Sequence, residues 1–416
     1  MSKYYLITLT PIDKFFFGGE ITFIRGSEKK KKDMTEDEKI LKDFDDAYSS
    51  YIVKSNLFPQ QTSLLGMLRF LILSNNEELF ANNKIQQGKQ GDVAKLIGEK
   101  SFQLNEDFKE MDFKSIKKIH PCFIQRKTEN ENRWSDLIFA PMDYVRKNKE
   151  KDTEREIVPL KISFQSGNSL LDNVKQKKPV IIEYKAKEGI QPFLTDGTVG
   201  WKISEIFQED ARIGINRNFN GKTETNAFYK QIFYRFTDKY KFTESENGES
   251  IFKSHQLRFA FYAELEYDFP EGKNHIVSLG GDNSRFSLQA ETVGEIPGFI
   301  LPKDENFENC DAKLILTTEA FIEDDAMNHC LFSINETVPF RFLTSTVYTE
   351  NYYNFLGDGR LQRSEKKYNL YKRGSVFYFD NQEDNGQSGL TKFKEAVNNK
   401  KLFQQIGYNN YQTIIK

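Results

Sequence analysis

Apolar and polar residues alternate with period two over several stretches of this chain, and that alternation predicts a strand-rich protein. Tyr4 to Leu9 reads as an opening strand, with Pro11 in the turn after it. The apolar run FFFGGE follows, with its glycine pair at Gly18 and Gly19. Phe58 to Leu73, FPQQTSLLGMLRFLIL, changes period: Leu64, Leu65, Leu68, Leu71 and Ile72 recur at helical spacing. Pro59 precedes this helix, and Thr62 or Ser63 can cap its first turn. Residues 75–115 read as mixed helix and loop, and residues 120–200 as short strands between charged turns.

From Ala211 the pattern sharpens. ARIGI is a short strand, NRNFNGKTETN is polar with Asn220-Gly221 at its middle, and AFYKQIFYRF alternates aromatics up to Phe236. Two apolar strands around an Asn-Gly pair predict a β-hairpin. A further strand, LRFAFYAELEYDF, leads to the glycine turn SLGGDNSRF and the strand SLQAETV. Pro297, Gly298 and Pro302 mark a boundary near residue 296. Beyond it come strands at AKLILTTE and GSVFYFD, a helix near Leu390 to Phe403, and a last glycine turn, IGYNN.

Composition supports this picture. Of 416 residues, 37 are Phe and 19 are Tyr, which suits pleated, half-buried surfaces. The net charge of -2 argues against free-standing non-specific DNA binding but leaves room for a local basic groove. Cys122, Cys310 and Cys330 are too few and too far apart for a disulfide framework. No window approaches 18 apolar residues, and the N-terminus reads as strand rather than secretion signal, so the expectation is a cytoplasmic protein with no membrane partner.

Most self-contained chemistry fails on spacing. Asn220-Gly221-Lys222-Thr223 resembles the end of a phosphate-binding P-loop, but Asn216 stands where that motif needs glycine. Gly280-Gly281 lacks the three-glycine dinucleotide spacing. His120, His255, His275 and His329 do not pair with the cysteines at zinc-ligand spacing, so neither metal nor cofactor is expected. The acidic clusters Asp43/Asp45/Asp46 and Glu323/Asp324/Asp325 read as solvated faces, and Lys29 to Lys32 as part of a solvated loop or exposed helix.

The hairpin is different. Arg212, Arg217 and Lys222 lie in or beside its polar tip with Phe219 among them, and cations with an aromatic suit phosphate contact and base stacking. In the second glycine turn, Gly280 and Gly281 allow close backbone approach to a phosphate, and Ser284 and Arg285 follow.

Several segments together resemble a known family. LTPIDKFFFGG, FPQQTSLLGMLR, ARIGINRNFNGKTETNAFYKQIFYRF, SLGGDNSRFSL, YNLYKRGSVFYF and the terminal IGYNN resemble, in order, motifs of the repeat-associated RNA-binding (RAMP) proteins of CRISPR systems. The branch they resemble is the third subunit of the type III-B (Cmr) effector complex. The resemblance implies an α+β fold with two ferredoxin-like (RRM-like) domains, a long β-hairpin and inserted loops and helices. The domains would be residues 1–295, with insertions at about 26–48 and 75–200, and residues 296–416. It implies a non-catalytic subunit that binds the 5′ repeat-derived handle of the guide RNA. That subunit would dock to the large polymerase-like subunit and backbone subunits, and meet target RNA only indirectly.

On this reading the RNA-binding residues are Thr62, Ser63 and Arg69 near the first helix, and Arg212, Asn216, Arg217, Asn218 and Lys222 at the hairpin. Gly280, Gly281, Ser284 and Arg285 of the glycine turn complete them. Two alternatives stand beside it: a guide-RNA-processing endonuclease of the same superfamily, and a β-rich carbohydrate-binding or structural protein. The first often uses a histidine near the first helix, and Phe58 to Leu73 contains none.

Overall fold

A computed structural model describes the chain except residues 1, 20, 25–49, 106, 130–131, 147–154, 169–174, 183–189, 218–222, 244–249, 271, 303–309, 349–360, 381–382 and 385–386. The fold is mixed α/β, with many strands and few helices. Its first elements are β1 (Lys3–Pro11), β2 (Ile21–Ile24), β3 (Ser50–Lys54), α1 (Gln61–Ser74) and α2 (Gln90–Ile97). There follow β4 (Ile116–Ile119), β5 (Phe123–Thr128), β6 (Ser135–Phe139), β7 (Phe193–Thr195) and β8 (Gly200–Lys202). The hairpin strands are β9 (Phe207–Arg217) and β10 (Thr223–Phe236). Then come β11 (Lys239–Thr243), β12 (Ser250–Leu265), β13 (His275–Ser278) and β14 (Arg285–Val293).

An antiparallel sheet runs β8-β7-β6-β5-β12-β1-β14-β13, with β4 and β11 also paired to β12. The period-two pattern explains its faces. Tyr5, Ile7 and Leu9 of β1 and Phe259, Phe261 and Ala263 of β12 are buried on one side, in one core with α1. Helix α1 contributes Leu64, Leu65, Leu68, Leu71 and Ile72, the predicted residues, all at 4% exposure or less. Each such Leu or Ile stabilises the fold by about 1.5–3 kcal/mol on burial.

The four central strands connect as β1, α1, β5, β12, β14 and lie in the order β5-β12-β1-β14. A second sheet near the C-terminus repeats that order. Its strands are β15 (Ala312–Leu316), β16 (Phe332–Ile334), β17 (Val376–Phe379) and β18 (Tyr411–Ile415), arranged β16-β17-β15-β18. Each sheet keeps only one α-helical crossover among the described residues. The first has α1 but passes from β12 to β14 through β13. The second has α3 (Gly389–Asn398) and α4 (Lys401–Gln405) before β18, but only the 3-10 helix Asp324–His329 between β15 and β16. The two sheets thus share a strand order, each with one α-helical crossover among the described residues.

The halves share one core. Phe340, Phe342, Leu402, Phe403 and Tyr408 pack in the same cluster as α1 and Phe102. Arg373 crosses between them. Its guanidinium binds Glu319 at 2.7 and 2.8 Å, donates to the Cys122 carbonyl at 3.0 Å, and lies 4.3 Å from the Phe58 ring centroid. Burial alone pushes the Glu319 carboxyl up, but the Arg373 charge and hydrogen bonds leave it below its usual value.

Two local expectations change. Gln60, not Thr62 or Ser63, is the N-cap of α1, and it makes no side-chain cap; its carbonyl instead accepts from the Ser63 and Leu64 amides at 2.9 and 3.2 Å. The single helix expected at Leu390 to Phe403 breaks at Lys400, whose backbone leaves helical angles. Its ammonium sits 4.0 Å over the Phe108 ring and 2.8 Å from Glu323. The exposed carboxylates Glu323, Asp324 and Asp325 fit a solvated face. Lys29 to Lys32 and Asp43, Asp45 and Asp46 lie outside the described residues.

Candidate nucleic-acid interface

The hairpin belongs to a sheet of its own, ordered β9-β10-β3-β2, in which β10 pairs parallel with β3 and the other pairs are antiparallel. The register sets Asp210 opposite Phe233 and Arg212 opposite Gln231, so alternation puts these four side chains on one face. Phe207, Glu209, Ile232 and Tyr234 share the other face, where Phe207 and Tyr234 join the main core. Both Phe233 and Tyr234 are buried, because each face is covered by something different.

The cover over Phe233 forms the candidate site. Phe16 packs on it at 5.4 Å, Arg212 lies over it at 4.8 Å, and Lys14 stands 5.4 Å from its centroid. Lys14 is paired with Asp210 at 2.7 Å. Arg212 is exposed and has no carboxylate partner among the described residues, so its charge is available to solvent. On the opposite face Lys54 pairs with Glu209 at 2.6 Å, and that hydrogen bond holds its ammonium above the usual lysine range.

The glycine turn meets the hairpin through the Phe run. Gly281 N donates to the Phe16 carbonyl at 2.7 Å, and Phe16 N donates to Ser284 Oγ at 2.9 Å. Ser284 Oγ donates in turn to the Gly281 carbonyl at 2.7 Å. Gly280 has φ +91°, and a Cβ there would stand 2.3 Å from the Phe16 carbonyl oxygen. The close approach expected at these glycines thus has an intrachain partner, and Ser284 is buried in the same clamp. Gln231 on the hairpin hydrogen-bonds Asp282 at the tip of the turn. Arg285, next to Ser284, is exposed, with no partner for its guanidinium among the described residues.

The predicted site residues therefore separate. Gly280, Gly281 and Ser284 gather on Phe16, which packs on the Phe233 ring under Arg212, and Arg285 follows Ser284 at the start of β14. Asn216 and Arg217 end β9, where only the backbone is described, and Asn218 and Lys222 lie outside the described residues. Thr62 and Ser63 are elsewhere, half-buried at the start of α1. Thr62 hydrogen-bonds buried Tyr408 of the last glycine turn.

Arg69 is a correction. It is buried at 4% exposure and donates to the carbonyls of Ile97, Gly98 and Lys100 at the C-terminal end of α2. Those are orphan helix-end acceptors, and a guanidinium satisfies several at once. Burial lowers its pKa to about 10. Lys14, Phe16, Gln231 and Asp282 escaped sequence reasoning. For Phe16 a signal existed: in Phe15-Phe16-Phe17 the outer two enter the core, so the middle one points away.

The start of α1 makes a second constellation. Gln61 is fully buried and donates to the carbonyls of His120 and Ile406, each at 3.0 Å. His120 thus adjoins the first helix in space though not in sequence. Burial, reinforced by Lys118, lowers its pKa to about 4.

Against this geometry, residues 41–415 match the family model for CRISPR-associated protein (Cas_Cmr3). The chain belongs to that family. It is a Cmr CRISPR effector subunit, as the ordered motifs resembled. No curated protein sequence matches it. A cryo-EM structure of the type III-B Cmr-beta bound to cognate target RNA and AMPPnP (state 1) is similar, with 12% identity and TM-score 0.41 over 99% of this chain and 96% of that one. Another, of the type III-B Cmr-beta bound to cognate target RNA, has 13% identity and TM-score 0.39 at the same coverage. At these TM-scores the similarity adds nothing to the family assignment.

Proposed function

We propose that this subunit holds the 5′ repeat-derived handle of the guide RNA in a type III-B effector, with no chemistry of its own. The observation that carries the reading is Arg212. It is an exposed guanidinium over the Phe233 ring with no carboxylate partner among the described residues, and Arg285 after the glycine turn is likewise exposed with none among them. Guanidinium groups grip phosphate oxygens in a fork, and an arginine plane also stacks on a splayed base. Asn216, Arg217, Asn218 and Lys222, which join the two hairpin strands in sequence, are further RNA contacts in this reading. Thr62 and Ser63 form a separate, secondary contact. The large polymerase-like subunit and backbone subunits are the expected neighbours, in the cytoplasm. In this reading the two sheets of like order are two ferredoxin-like units divided near residue 296, each with one α-helical crossover replaced.

The test is to incubate the full chain with repeat RNA and map ultraviolet cross-links. Cross-links between the 5′ handle and peptides 207–236 or 279–286 are expected. Cross-links confined to other surfaces would refute the reading.

One observation favours the endonuclease alternative, the position of His120 beside α1. A histidine neutral at physiological pH can act as a general base. Site-specific cleavage of repeat RNA that is lost in His120→Ala would establish that alternative instead.

A further inference from the structure

The main sheet has a second face, turned away from α1. Alternation places Thr10 of β1, Arg258 and Ala260 of β12, and Arg285 and Ser287 of β14 on it, because their neighbours Leu9, Phe259, Phe286 and Leu288 enter the core. The chain itself covers one end of this face. There Phe299 and Leu301, from the segment after β14, pack on the cluster of Phe123, Ala260 and Tyr262, with the Phe299 ring 5.3 Å from that of Phe123. The other end is polar, and Thr10, Gln256 and Arg285 are exposed there.

At that polar end Trp134 and Arg258 meet. The Arg258 Cζ lies 3.9 Å from the Trp134 ring centroid. Arg258 Nε donates to Gln125 Oε1 at 3.0 Å, and Gln125 Nε2 donates to Asp136 Oδ1 at 3.0 Å. Gln125 is buried, so this chain of bonds fixes the guanidinium in place. The two Nη groups of Arg258 have no hydrogen-bond partner among the described residues. Asp136 and Glu291 act on Arg258 through their charge, but neither is in ion-pair contact with it. Arg126, one residue along from Gln125, makes the contrast. It faces the core side, where it lies 4.0 Å from the Trp201 centroid and its Nε donates to His255 Nδ1 at 3.3 Å.

A fixed guanidinium on an aromatic ring, with its outer donors open, suits a nucleotide. Every base has a π-face that can add to a stack, and the Nη fork fits phosphate oxygens. A protein partner would favour an apolar centre, and the apolar end of this face is already taken by Phe299 and Leu301. The register also gives a strand of RNA a route. β14 leaves the glycine turn at Arg285, Ser287 stands opposite Thr10, and Arg258 is the next residue along β12 beyond Phe259, the partner of Leu9. Arg285 and Arg258 are thus two strand spacings, about 10 Å, apart across one face.

We propose that Trp134 and Arg258 form a stacking site for one nucleotide of single-stranded RNA, beyond the glycine turn. The base adds to the Trp134–Arg258 stack, and a phosphate takes the Arg258 Nη donors. The proposal deepens the guide-RNA reading and takes its strand from it, but it uses neither Arg212 nor Phe233.

The chain has two tryptophans, and the other, Trp201, is only 4% exposed. Tryptophan emission of the full chain is followed as single-stranded repeat RNA is added, with polyglutamate as the control polyanion. RNA should quench the emission saturably. Trp134→Phe should lose the quench but keep most of the affinity for labelled RNA, because a stacking ring remains. Arg258→Gln should bind at least about fivefold more weakly and take about 0.7 off the log–log salt slope. Trp134→Phe decides the matter should Arg258→Gln fail to fold. Arg212→Glu should weaken binding without removing the quench at saturation; unchanged affinity there beside a persisting quench would count against the hairpin alone. RNA binding that leaves the emission unchanged, a quench that survives in Trp134→Phe, an unaltered affinity and slope in folded Arg258→Gln, or an equal quench by polyglutamate would overturn the proposal.

Discussion

Replacing Arg373 by methionine tests how the two halves are joined. The substitution removes two hydrogen bonds to Glu319, one to the Cys122 carbonyl, and the stacking over Phe58. It leaves the Glu319 carboxylate without its partner. Breaking a buried ion pair from one side costs about 3–5 kcal/mol. The Glu319 side chain keeps 21% of its surface exposed, so water recovers part of that and the low end, about 3 kcal/mol, applies. Glu319→Gln alone should cost a similar amount by stranding the guanidinium. The double variant has no uncompensated charge and should cost about 3 kcal/mol rather than the sum of about 6, a coupling of about 3 kcal/mol. Equilibrium urea unfolding of the four proteins, followed by circular dichroism, measures this cycle. Additive costs would refute the claim that Arg373 acts through Glu319. A single-variant cost below about 1 kcal/mol would refute its place at a buried junction.

The other predictions are more local. Gly280→Ala forces a side chain into positive φ and a Cβ against the Phe16 carbonyl, so it should lower stability by about 2–4 kcal/mol and loosen the turn from the hairpin. Hydrogen exchange at the Gly281 amide should rise; unchanged protection would contradict the clamp. His120 and His255 both titrate near pH 4 in the folded chain against about 6.5 unfolded. The unfolded state therefore takes up protons first, and stability present above about pH 6.5 is lost as pH falls toward about 4. A melting profile over that range should flatten in His255→Gln, whose carbonyl can still accept from Arg126; an identical slope would exclude His255 as a source. Arg69→Met should destabilise the chain by about 2–3 kcal/mol, because three carbonyls at the end of α2 lose their donor. RNA affinity per folded molecule should not change.

Much of the fold was legible because it depends on local periodicity. The five apolar positions of α1, the hairpin strands and β1, β12 and β15 follow from spacing alone. The site was legible only in part. The tip cations were visible as charges between aromatics, but the strand register that groups Arg212 with Phe233 and Gln231 is a pairing property. Arg69 shows the limit most clearly. A charged residue on a helix reads as solvent-facing, and nothing near it in the sequence says that α2 ends where its guanidinium reaches. Ser284, Gly280 and Gly281 looked like a phosphate cradle for the same reason. Their partner, Phe16, lies more than 260 residues away in sequence.

The central claim is that the Arg212–Phe233 face and the adjoining glycine turn grip guide RNA. The most direct measurement is the salt dependence of RNA binding by Arg212→Glu/Arg285→Glu, read by fluorescence anisotropy on a single-stranded repeat RNA. Each phosphate contact to a single strand contributes about 0.7 to the log–log slope. The double variant should lose about 1.4 from that slope and bind at least about tenfold more weakly at low salt, while unfolding at the same urea concentration as the parent. An unchanged slope and affinity in a folded double variant would contradict the account.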